Sequence, residues 1–149
     1  MPEFISSERK NSLNKTGIIR GHDSFKKVLE NSEVIRTNLL KGFVHINNIP
    51  IIKNPLLNNE LKVGFIVSKR KFRLAVLRNR ARRIMREAYR NFIPYEIKHL
   101  KRKKEVSMII GLNEKINGNK LKELKPADFK NDIKELFLKL SVKINMEKN

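Results

Sequence analysis

A chain of 149 residues without cysteine, carrying 34 Lys and Arg against 15 Asp and Glu, has room for one domain with a modest core and cannot form disulfides or thiolate metal sites. Hydrophobic residues at 40% exclude a disordered polyelectrolyte, and no apolar run reaches the length of a membrane span. A charge of +19 in a compact body repels itself, and a polyanion that releases counterions on binding relieves it: nucleic acid first, an anionic membrane surface second.

Residues 1–20 read as a polar arm, and "MPEFISSERK" has no apolar segment behind a basic start, so a cytoplasmic location is expected. "DSFKKVLENS" places Phe25, Val28 and Leu29 at i, i+3, i+4, a short amphipathic helix with Asp23 or Ser24 as N-cap. "EVIRTNLLKGFVHINNIPII" is rich in β-branched and aromatic residues and reads as one or two strands, followed by a turn at "NPLLNNE". "LKVGFIVSK" alternates as a strand, with Leu61, Val63, Phe65 and Val67 on one face.

Beyond the arginine-rich segment taken up below, "HLKRKK" is a basic loop or helix end and "EVSMIIGL" a buried strand. "EKINGNK" reads as a polar loop. From Pro126 a helix puts Phe129, Ile133, Leu136, Phe137 and Leu140 on one face. The expectation is one α+β domain over 21–141, two layers deep, with a mainly antiparallel sheet of about four strands in the order αβββαβα and a tail at 142–149.

"RNRARRIMREAYR", residues 78–90, holds six arginines in thirteen positions. On a helix, Leu77, Ala81, Ile84, Met85, Ala88 and Phe92 fall within an arc of about 80°, a stripe for the core. Asn79, Arg83, Arg86 and Arg90 line the opposite side, Arg82 lies beside them, and Arg78 and Arg80 flank the first turn. Like charges at these spacings cost a few tenths of a kcal/mol each, with only Glu87 to offset them. Lys69, Arg70, Lys71 and Arg73 precede the helix, so residues 69–90 carry ten basic side chains and one acid. A solvated charged face is the usual fate of charge runs, but sign purity and alignment favour a phosphate-binding face, and guanidinium suits bidentate phosphate recognition. A membrane-surface helix is the weaker reading, because its apolar stripe is small and needed by the core.

"VGFIVSKR…AVLRNRARRIMREAYR" resembles the signature of the bacterial ribonuclease P protein subunit, in Ser68-Lys69-Arg70, Ala75-Val76, Arg78-Asn79-Arg80, Arg82-Arg83, Arg86 and Tyr89. "DSFKKVL" is similar to that family's first helix. The resemblance implies a ribosomal protein S5 domain 2-like fold and a subunit, monomeric when free, that binds the ribonuclease P catalytic RNA and precursor tRNA. The endonucleolytic removal of the 5′ leader is then performed by the RNA with its magnesium, and no catalytic or metal-ligating residue is expected in the polypeptide. Carried over by position, RNA binding falls to Lys69, Arg70, Arg73, Arg78, Asn79, Arg80, Arg82, Arg83, Arg86 and Arg90. A leader cleft falls to Phe25, Leu29 and Phe43. Leu29 stands where the family often has a second aromatic, and "KFRL" replaces a loop that usually contains glycine.

His22, His45 and His99 lack ligand-like spacing, and there is no GK[ST] loop, HExxH or nucleophile elbow. The alternative of another class is a structural RNA binder of ribosomal type. A major-groove DNA reader is weaker, because no second helix lies a short turn from the arginine helix.

Overall fold

The computed structural model describes Ile19 and residues 22–50, 61–93 and 104–147. The turn expected at 54–60, residues 99–103 of the basic stretch and all of the N-terminal arm except Ile19 lie outside the described residues. Helix α1 (His22–Glu30) leads into strands β1 (Glu33–Arg36) and β2 (Leu40–Pro50), then β3 (Lys62–Phe65). The arginine helix α2 (Ala75–Phe92) precedes β4 (Lys104–Leu112), the short α3 (Gly118–Glu123), a 3-10 turn (Pro126–Phe129) and α4 (Lys130–Glu147).

The four strands form one sheet in the order β1-β2-β4-β3. The β1–β2 and β2–β4 pairs are antiparallel, and β3 runs parallel to β4. Both neighbours of β4 are therefore distant in sequence, and its continuous apolar run is buried from Val106 to Leu112. On one face α2 and α4 cover the main core. Phe129, Ile133, Leu136, Phe137 and Leu140 are wholly buried there, as their spacing anticipates. Tyr89 ties the layers together, with ring-centroid distances of 6.0 Å to Phe65 and 5.6 Å to Phe137. On the other face, among the described residues, α1 lies over a smaller cluster of Ile19, Val28 and Ile109.

Several local expectations change. Helix α1 starts at His22, so Asp23 lies in its first turn, where a carboxylate favours the helix dipole, instead of acting as the cap. The polar stretch before Pro126 contains α3: Asn117 accepts a hydrogen bond from the Lys120 amide (2.8 Å) and Leu121 is fully buried, a helix too short to show periodicity. Helix α4 continues past residue 141 to Glu147 because Ile144 still reaches the core. Ile19, assigned to the arm, is part of the domain, its amide donating to the Val63 carbonyl at 2.9 Å.

The β1–β2 connection is held by one buried carboxylate. Asp132, in the first turn of α4, accepts from the Thr37 hydroxyl at 2.7 Å and the Leu39 amide at 2.6 Å. Asn113 fastens the same turn from the end of β4, donating to the carbonyls of Leu39 (2.8 Å, backbone) and Thr37 (2.9 Å, side chain).

Candidate nucleic-acid interface

The basic segment begins as a structured turn after β3. The Phe72 amide donates to the Ser68 carbonyl (2.9 Å) and the Lys71 amide to the Ser68 hydroxyl (3.2 Å). The Phe72 ring is buried and anchors the loop, leaving Lys69, Arg70, Lys71 and Arg73 exposed around it. Nothing in the sequence singles out Phe72, since one phenylalanine among basic residues has no periodic partner. Arg78 completes the anchor: its Nη1 donates to the carbonyls of Phe72 at 2.8 Å and Arg73 at 2.7 Å.

Helix α2 buries Ala81, Ile84, Met85, Ala88 and Tyr89, while Leu77 and Phe92 of the expected stripe are partly buried against the same core. Opposite them Asn79, Arg83 and Arg86 are exposed and Arg82 and Arg90 half-exposed. Among the described residues, the ion pairs involve none of the α2 arginines. Arg82 Nη1 donates to Asn79 Oδ1 (3.1 Å), and the Arg86 guanidinium lies 5.9 Å from the Phe65 ring centroid. Among the described residues, no carboxylate neutralises this row of guanidinium groups.

Arg80 serves the fold. Its guanidinium donates to the carbonyls of Leu121 (3.4 Å), Lys122 (3.2 Å) and Leu124 (3.0 Å) where α3 ends, the first of these also accepting the Leu124 amide at 3.2 Å. Arg78 and Arg80, adjacent to the aligned face in sequence, thus have their guanidinium groups bound to backbone carbonyls, whereas Arg83, Arg86 and Arg90 have no such ties among the described residues.

The second feature lies on the α1 face of the sheet. Strand alternation and register place Val34, Phe43, Ile109 and Gly64 in one row across the four strands. Phe25 and Leu29 of α1 join Phe43 and Ile66 against this row, all four only partly buried. Thus the three side chains assigned to a cleft are brought together. Gly64 sets how closely α1 approaches: a Cβ there would stand 2.9 Å from Phe25 Cζ and 3.2 Å from Ile19 Cβ.

The rows flanking Phe43 are polar: Arg36 and Lys41 on one side, His45, Ser107 and Lys62 on the other. Sequence reasoning passes over these residues, although Lys41, Phe43 and His45 alternate with buried Leu40, Val44 and partly buried Ile46. The Lys41 ammonium is 5.5 Å from the Phe43 ring centroid. Glu114 closes this end, its Oε1 lying 3.2 Å from Arg36 Nη2 and 3.4 Å from Lys41 Nζ. The Arg36 hydrogen bond, with help from the backbone at Glu114 and the nearby cations, holds its carboxyl at about 2. Across the sheet edge, the hydrogen bond and charge of Lys143 lower the Glu33 carboxyl.

Among the described residues, no group of three or more His, Asp or Glu side chains is placed to hold a metal ion, so no step through a protein-bound metal is derived. No helix among them is long and apolar enough to cross a membrane. What the surface offers is a row of exposed cations on α2 and a partly apolar groove under α1.

No curated protein matches the chain in sequence. Among solved structures, the ribonuclease P protein of Staphylococcus aureus superposes with a TM-score of 0.52 at 17% identity, covering 84% of this chain and 94% of that one. The Thermotoga maritima ribonuclease P protein gives 0.53 at 16% identity, over 79% of this chain and 96% of that one. These likenesses establish the fold. Residues 13–141 match the Ribonuclease P family itself, and with that match across most of its length the chain belongs to the ribonuclease P protein family, as a protein subunit of the ribonuclease P holoenzyme.

Proposed function

We propose that this subunit meets the ribonuclease P RNA through the outward arginine face and holds the 5′ leader of precursor tRNA in the groove under α1. The observation that carries the reading is the set of exposed arginines, Arg83 and Arg86 with half-exposed Arg90, which have no carboxylate partner among the described residues. Asn79, Arg82, Lys69, Arg70 and Arg73 extend the same surface. Arg78 and Arg80 contribute by fixing the loop and helix that present it.

Phe25, Leu29 and Phe43 give the leader an apolar wall. Stacking on a ring contributes on the order of 1–3 kcal/mol per base without demanding sequence, which suits leaders that differ between tRNAs. Cations flanking the wall neutralise the strand's phosphates. The polypeptide supplies grip and position, and the RNA with its magnesium supplies the chemistry. The free subunit is a cytoplasmic monomer in this reading.

The test combines the protein, a bacterial ribonuclease P RNA and a leader-bearing precursor tRNA at low magnesium. Protein should raise cleavage by the RNA and cleave nothing alone. Absence of stimulation across several bacterial ribonuclease P RNAs refutes the reading.

A further inference from the structure

The corner where Glu114 meets Arg36 and Lys41 is unusual for a surface ion pair. One carboxylate oxygen is shared by a guanidinium and an ammonium, on the groove face of the sheet, next to an aromatic ring. An oxygen anion between two converging cations is the coordination a phosphodiester oxygen seeks. The backbone that carries the two cations is fixed independently of that carboxylate, and the Lys41 ammonium also lies over the Phe43 ring. Arg36 and Lys41 are register partners at the start of the β1–β2 hairpin, whose turn is fixed by Asp132 and Asn113. The Glu114 backbone is likewise anchored, because its neighbour Asn113 is tied to Leu39 and Thr37 and accepts the Lys115 amide at 3.2 Å. Its side chain is about half exposed and can swing away without disturbing the fold. Since its carboxyl is held at about 2, it stays charged at any physiological pH.

We propose that Glu114 occupies a phosphate site at the end of the groove, from which a phosphodiester of the single-stranded leader displaces it to bind Arg36 and Lys41, with the adjoining base on Phe43. This assignment rests on the leader reading given above. Glu114 then acts as a specificity-determining residue: a ligand gains the site only if it reaches it, and a strand too short to do so meets a neutralised corner. The exchange also limits affinity for unrelated RNA, because the carboxylate competes for both cations.

The magnitude follows from counterion release. Each single-strand phosphate neutralised contributes a log–log salt slope of about 0.7, which multiplies affinity by about fourfold at 0.15 M salt. In the reconstituted holoenzyme, Glu114→Gln should bind a precursor with a long leader about fourfold more tightly, with a slope steeper by about 0.7. A precursor with a single-nucleotide leader should be bound as by wild type. Arg36→Ala/Lys41→Ala should lose affinity for the long leader only. Glu135→Gln, which removes an acid paired with Lys139 on α4, should change neither, controlling for net charge. Equal gains for long and single-nucleotide leaders, or no gain, overturn the assignment. A wild-type holoenzyme indifferent to leader length overturns the groove reading beneath it, whereas wild-type leader dependence with an unchanged Glu114→Gln removes this assignment alone.

Discussion

Replacing Arg83 and Arg86 together by alanine removes two exposed guanidinium groups that have no carboxylate partner among the described residues. Within the protein, the change abolishes the approach of Arg86 to the Phe65 ring at 5.9 Å, worth about 0.5–1 kcal/mol. Relief of repulsion with Arg82 and Arg90 returns a few tenths. The melting temperature should therefore move by no more than about 2–4 °C. Binding responds very differently. Each duplex phosphate neutralised contributes a log–log salt slope of about 0.9, so two fewer such phosphates flatten the slope by about 1.8. Between 50 and 200 mM salt, the affinity ratio of wild type to variant should then shrink about twelvefold. Fluorescence anisotropy of labelled ribonuclease P RNA, titrated at several salt concentrations with circular dichroism melts alongside, measures both quantities. Parallel salt lines for the two proteins refute the claim that these side chains meet phosphates.

Arg80→Ala should show the converse: loss of its donors to Leu121, Lys122 and Leu124 costs about 1.5–3 kcal/mol and about 3–12 °C in thermal melts, with the salt slope of RNA binding kept. Gly64→Ala forces the Phe25 ring from its seat, costing about 1–3 kcal/mol by overpacking, and should weaken precursor binding more for leader-bearing than leaderless substrates. Asp132→Ala leaves the Leu39 amide without its acceptor and the Thr37 hydroxyl with only the Leu40 carbonyl at 3.3 Å, and urea unfolding should register about 1–3 kcal/mol of lost stability. The depressed carboxyl of Glu114 stabilises the fold above its ordinary value of 4.5, and this contribution disappears as pH falls from there toward about 2; the Glu33 carboxyl, lowered by Lys143, acts in the same direction. Melts across that window should flatten in Glu114→Gln relative to wild type.

The stripe of α2 and the inward face of α4 were legible because helical period is a local property. Ala81, Ile84, Met85 and Ala88 sit where their spacing puts them. Phe25, Leu29 and Phe43 could be grouped only through family resemblance, since the groove exists only once α1 lies across β2 and β3. The helical wheel sets Arg78 and Arg80 apart from the aligned face, but not what their side chains do: the carbonyls that Arg80 binds belong to residues 41 to 44 positions later in the chain. Glu114 is likewise separated from its partners by 78 and 73 positions. Asn117 before a short helix was the one local cue available for α3.

The placement of β4 has a consequence for how the chain comes to exist. It is the fourth strand in sequence yet sits between β2 and β3, which do not pair with each other. While the chain is being synthesised, the β1–β2 hairpin, β3 and the arginine helix emerge before the strand that unites them, and their apolar faces wait uncovered. Assembly is governed by these long-range pairings, so it is slow for so small a protein. A nascent polypeptide this cationic spends that interval among polyanions, and the same arginines that serve the finished subunit can attract RNA before the sheet has closed.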